Sequence, residues 1–129
     1  MSSLHHLEIY VSNLKISHAF WSWFLNELGY EPYQSWNEGF SYKLDDFYLV
    51  FVQTETAYLD KGYHRKRIGL NHLAFHAQSR SEVDRMAQLI QMKGMTLLYP
   101  ERHPDKNDSD YYALFFEDPD RIKVELVSK

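Results

Sequence analysis

Residues 4–11, LHHLEIYV, alternate with a period of two: His6, Glu8 and Tyr10 fall on one side, Leu7, Ile9 and Val11 on the other. This is the pattern of a half-buried strand. From Leu14 to Leu28 the period becomes helical, with Leu14, Ala19 or Phe20, Trp23 or Phe24 and Leu28 as the apolar stripe and Gly29 as the stop. Strand-like segments follow at 30–36, 39–44 and 47–53. The same order then returns. GLNHLAFHAQS (69–79) holds a strand over 71–77, in which His72, Ala74 and His76 share one face and Leu73 and Phe75 take the other. A second helix is predicted to start at Ser81, with Asp84 three positions on as a capping box. Its buried stripe is Val83, Met86, Ala87 and Ile90, and Gly94 ends it. Segments 95–99, 111–117 and 122–127 complete the second set.

The layout is βαβββ written twice, an α+β fold whose internal repeat is stronger evidence of architecture than any single segment. It predicts a single domain over 1–129, with module one at 4–53, a connecting loop at 54–68 and module two at 69–128. His6 and His72 lie at equivalent points of the two modules. Asp45-Asp46 and Asp118-Pro119-Asp120 supply turns before the last strand of each set. The stretches 54–68 and 101–110 are long, polar connections, candidates for covers over a site or ordinary surface loops.

Composition narrows the function. A formal net charge of -4 argues against nucleic acid and anionic membranes as partners. No cysteine is present, so there is no disulfide framework, and any transition metal must rest on His, Asp or Glu. The N-terminus lacks a signal-peptide pattern and no apolar run is long enough to span a bilayer, which predicts a cytoplasmic protein. Three tryptophans, ten tyrosines and eight phenylalanines crowd the chain, and the aromatic first helix, with Trp21 and Trp23 on different faces, points to a homodimer.

Candidate chemistry follows from parity. In IKVELV, Ile122, Val124 and Leu126 point one way while Lys123, Glu125 and Val127 point the other. His6, His72 and Glu125 thus all fall on faces away from the helices, which in a curved sheet is the concave side. Two imidazoles and one carboxylate hold a divalent ion and leave positions open, as a catalytic metal needs. The alternative is two separate sheet histidines and a solvated glutamate. Glu8, Tyr10 and His76 share the inward parity: Glu8 is a candidate general base, His76 a proton shuttle and Tyr10 a lining residue. Tyr112 is a candidate for reaching a metal-bound oxygen. In the HRKR run, Arg65 and Arg67 are candidates for capturing an anionic substrate.

HHLEIYVSNL, GLNHLAFHAQS and FFEDPDRIKVELV together resemble the vicinal oxygen chelate superfamily, which includes glyoxalase I, extradiol dioxygenases, fosfomycin-resistance enzymes and bleomycin-resistance proteins. The similarity runs from about Leu4 to Val127. It implies paired βαβββ modules forming a cup-shaped, partly open mixed sheet around a divalent metal (Zn, Fe, Mn, Ni or Co) held by His6, His72 and Glu125. The fourth ligand of glyoxalase-like members falls near Phe51, which cannot bind a metal, and Gln53 would serve if the register moved by two. Phe51 and Gln53 are otherwise expected to line the substrate. Arg121 stands where the family's turn usually carries glycine. The expected function is a metal-dependent lyase, isomerase or dioxygenase acting on an oxygen-rich small molecule. The alternatives are a sequestering protein of the bleomycin-resistance kind and a thiol transferase of the fosfomycin-resistance kind. The modules can pair within one chain or exchange between two.

Overall fold

The computed structural model describes residues 1–100 and 111–129. The proposed cover at 101–110 therefore lies outside the described residues. The chain divides into two compact units, Met1–Gly62 and Tyr63–Lys129.

Unit 1 runs β1 (His6–Val11), α1 (Leu14–Glu27), β2 (Glu31–Trp36), β3 (Gly39–Leu44) and β4 (Phe47–Gln53), followed by a single 3-10 turn at Thr56–Tyr58. Its sheet has the order β1-β4-β3-β2, with β1 parallel to β4 and the other pairs antiparallel. Helix α1 starts where the Asn13 side chain accepts from the Ile16 N–H, which satisfies one of the unpaired donors of the first turn. It ends at Gly29, whose φ of 93° lets the Tyr30 N–H turn back to the Leu25 carbonyl. The buried side chains of the helix are Ser17, Phe20, Trp21, Phe24 and Leu25. The expected stripe is therefore rotated slightly, and Trp21 belongs to the core: its ring stacks on Phe51 at 4.8 Å, and Phe51 stacks on Phe40 at 5.0 Å. A fully buried Trp21 has no face to offer a second subunit.

Unit 2 repeats the plan with β5 (Leu73–His76), α2 (Arg80–Met92), β6 (Leu97–Leu98), β7 (Tyr112–Glu117) and β8 (Lys123–Ser128). The sheet order is β5-β8-β7-β6, with β5 parallel to β8. Helix α2 begins earlier than the sequence suggested. Ser79, not Ser81, is the cap, and its hydroxyl accepts from the Glu82 N–H at 3.1 Å. Glu82 is the acidic residue of the first turn, where a negative charge suits the positive end of the helix. Val83, Met86, Ala87 and Ile90 are buried as expected, and α2 packs on β7 and β8, where Leu114, Phe116, Val124 and Leu126 are buried. Each fully buried side chain of this kind contributes about 1.5–3 kcal/mol. Gly94, with φ of 72°, closes the helix as Gly29 closes the first.

The turn into β8 is built on Asp118, whose carboxylate accepts from the Asp120 and Ile122 N–H groups at 2.8 Å. Arg121 takes φ of 67° there, the left-handed backbone that explains why a glycine suits this position. No helix among the described residues is long and apolar enough to cross a membrane.

Candidate functional site

Strand alternation carries Ile122, Val124 and Leu126 to the helix face of unit 2 and leaves Lys123, Glu125 and Val127 on the other. Glu125 is 5% exposed on that face. A buried carboxylate is costly unless it is bonded, and both oxygens here are used. Oε1 lies 3.0 Å from His72 Nε2, and Oε2 accepts from the Tyr111 hydroxyl at 2.5 Å. The other nitrogen of His72 is 2.7 Å from Asn71 Oδ1, which orients the ring, and the imidazole meets Phe115 edge-on at 6.3 Å. His72 stands one residue before β5, so the strand is shorter than 71–77. Its side chain keeps the parity of Ala74, the residue paired with Glu125.

Two of the three predicted ligands therefore come together. Donors bonded to one ion at about 2.0–2.2 Å stand roughly 3 Å from each other, which is the spacing of His72 Nε2 and Glu125 Oε1. Asn71 supplies the outer contact that ligating histidines use to fix the ring. Histidine nitrogen and carboxylate oxygen suit a divalent transition metal. Among the described residues, no set of three His, Asp or Glu groups is gathered as a metal centre.

His6 belongs to unit 1, at the start of β1. Its ring stacks on Tyr48 with centroids 4.8 Å apart and planes at 5°, and its Nδ1 is 2.8 Å from His5 Nδ1. His5 thus orients His6, a partner that parity alone did not assign. Glu8 and Tyr10 are exposed on the same side of the strand as His6. His76, at the end of β5, is also exposed.

The strand register replaces one expected equivalence. His6 pairs with Tyr48 and Glu8 with Val50, while Ala74, the counterpart of Glu8, pairs with Glu125. The unit-1 counterpart of Glu125 is therefore Val50, not Phe51. Phe51 pairs with Ile9 on the helix face and is fully buried between Trp21 and Phe40, so it lines no substrate site. Gln53 also lies on the helix-facing parity and is occupied: its amide oxygen accepts from the Leu14 N–H at 2.8 Å and its NH2 donates to the Ser12 and Thr54 carbonyls. It is a staple for the start of α1, neither ligand nor substrate contact.

Tyr112 is likewise misassigned. It lies on the α2 side, donating to Asp84 at 2.6 Å beneath Arg80, and that hydrogen bond raises its pKa above the ordinary 10.0. Tyr111, one position earlier, has the inward parity and reaches Glu125. Ala113 and Phe115 share Tyr111's face, and the register that pairs Phe115 with Glu125 is what brings Tyr111 rather than Tyr112 to the carboxylate. Arg65 is not available to an anionic substrate, because it donates to Glu117 at 2.7 Å and to the Arg121 carbonyl. Arg67 is exposed in the turn closed by its N–H on the His64 carbonyl.

The family model for the Glyoxalase/Bleomycin resistance protein/Dioxygenase superfamily matches residues 3–126. YqjT, an uncharacterized protein of Bacillus subtilis (strain 168), is 55% identical over 125 residues, covering 97% of this chain and 98% of that one. A crystal structure of a candidate glyoxalase from Bacillus halodurans is 56% identical, superposes with a TM-score of 0.94 and covers 98% of this chain and 95% of its own. The fosfomycin resistance protein FosX of Listeria monocytogenes shares the fold at 20% identity, with a TM-score of 0.74 over 100% of this chain and 94% of its own. With the family model spanning both βαβββ units and the 55% identity to YqjT, the chain belongs to the glyoxalase/bleomycin resistance protein/dioxygenase superfamily.

Proposed function

We propose that the chain is a divalent-metal-dependent enzyme acting on an oxygen-rich small molecule, with His72, Glu125 and His6 as its ligand set. The observation that carries this reading is the 3.0 Å approach of His72 Nε2 to Glu125 Oε1 on the sheet face away from α2. Two donor atoms at this spacing can share one ion, and Asn71 fixes the ring as an outer contact to a ligating histidine does. The bound ion would supply Lewis acidity to adjacent substrate oxygens.

The chain's own residues do the rest. Asn71 and Phe115 hold the His72 ring, and Tyr111 holds Glu125 by one oxygen so that the other stays directed at His72. His5 and Tyr48 hold the His6 ring. Glu8 is assigned the proton-accepting role and His76 the proton-shuttling role, since both carry the inward parity of the ligands. The reaction class is lyase or isomerase, or dioxygen insertion. Assembly is as a homodimer in the cytoplasm, with the modules paired within a chain or between chains.

The test is metal content by mass spectrometry on protein purified without chelator or affinity tag, beside His72→Ala and Glu125→Ala. Near-stoichiometric metal in the parent chain, lost in both variants, is the expected result; iron would favour oxygenation, and nickel, zinc or cobalt isomerase chemistry. An empty parent chain that takes up added ions no better than the variants would overturn the reading and leave a sequestering protein.

A further inference from the structure

Lys123 occupies the same face as Glu125, two residues before it, yet it is held by aromatic rings. Its Nζ lies 4.8 Å from the Phe115 ring centroid, 5.0 Å from that of Tyr99 and 3.1 Å from the Tyr99 hydroxyl oxygen, to which it donates. The carboxylate opposite it in the strand pair, Glu117, is already shared by Arg65 at 2.7 Å and Arg121 at 3.5 Å. With Glu117 engaged by two guanidinium groups, the contacts of the Lys123 ammonium are two rings and a phenol hydroxyl rather than a carboxylate. Ring faces stabilise an ammonium without neutralising it.

Phe115 joins this cation to the candidate ligands. Its ring carries Lys123 and also receives the edge of His72, and its backbone pairs with Glu125. Tyr99, stacked edge-on against Phe115 at 5.6 Å, is held at φ of 52°. A bulky aromatic residue enters the left-handed region only when its surroundings impose it. In that conformation its phenol oxygen accepts from the Lys123 ammonium.

We propose that Lys123, seated between Tyr99 and Phe115, is the anion-binding residue of the site, so that the substrate is an oxygen-rich acid. Its carboxylate or phosphonate rests on the ammonium while a neighbouring oxygen reaches toward His72 and Glu125. The inference deepens the metalloenzyme reading and rests on it. It transfers to Lys123 the role that the HRKR run suggested for Arg65. Tyr99 is a positioning residue that acts through Lys123.

The test is calorimetric titration of phosphonoacetate, with neutral acetamide as control, into the metal-free chain, Lys123→Met and Lys123→Arg. Manganese affinity and thermal unfolding are measured on the same preparations. A charge-assisted contact is worth enough that Lys123→Met should weaken the probe about tenfold or more, while Lys123→Arg retains binding. Manganese affinity and unfolding temperature stay at the parent values. Parent-like phosphonoacetate binding by Lys123→Met, or no binding by the parent, overturns the anion seat. Lys123-dependent phosphonoacetate binding in a chain that takes up no manganese supports the seat and removes the metalloenzyme reading instead.

Discussion

The two units share a strand order, a parallel first-to-last strand pair and a glycine that closes each helix, yet they differ along one sheet face. Where unit 2 has Glu125, unit 1 has Val50; where unit 2 has Lys123, unit 1 has Tyr48, which stacks on His6. The helix faces differ in another manner. Unit 1 packs large aromatic side chains, Trp21 and Phe24 with Phe40 and Phe51, whereas α2 buries Val83, Met86, Ala87 and Ile90. The backbone plan is common to both units while the chemistry of this face differs, because the periods of the strands and helices and the turn glycines set the plan without fixing which residues stand on that face.

The largest effect that distinguishes the units is in their cores. Trp21→Ala should cost about 3–5 kcal/mol by removing the ring stacked on Phe51, and Met86→Ala about 2–4 kcal/mol because a flexible side chain leaves a smaller void. Urea unfolding of both variants checks this, and a larger loss for Met86→Ala would show that the aromatic cluster is not the stiffer core.

Placing the missing carboxylate in unit 1 is a sharper intervention. Val50 is 3% exposed and is paired with Glu8, so Val50→Glu buries an acid beside another acid at a cost of about 2–4 kcal/mol. Burial and the like charge both raise the new carboxyl's pKa in the folded state. The folded chain then binds more protons than the unfolded one, and the deficit should shrink between about pH 7 and pH 5. Thermal unfolding across that range measures it; a pH-independent deficit would mean that the position is not the inward equivalent of Glu125.

A smaller effect comes from Tyr112. Its hydrogen bond to Asp84 raises the phenol's pKa, so the stability it contributes is full below the ordinary value near 10 and is lost as pH climbs through the raised one. Tyr112→Phe should cost under about 1 kcal/mol at neutral pH, as an exposed hydrogen bond does, and leave metal uptake unchanged. Ultraviolet titration of the phenolate, with metal content alongside, tests both; lost metal would return Tyr112 to the site.

The sequence by itself determined the duplicated βαβββ plan, the stripe of α2, the glycines that close both helices and the parity that puts His72, Lys123 and Glu125 on one face. These are local properties, written in periods of 2 and 3.6 residues and in turn glycines. Only the tertiary structure decided that Val50 matches Glu125, since register is set by the partner strand and a slip of one residue exchanges the faces. It also decided the pairings of long side chains: Arg65 with Glu117, Gln53 with the start of α1, Tyr111 rather than Tyr112 with Glu125. Such partners are chosen by proximity in space across 14 to 52 positions of chain, and no local pattern records them.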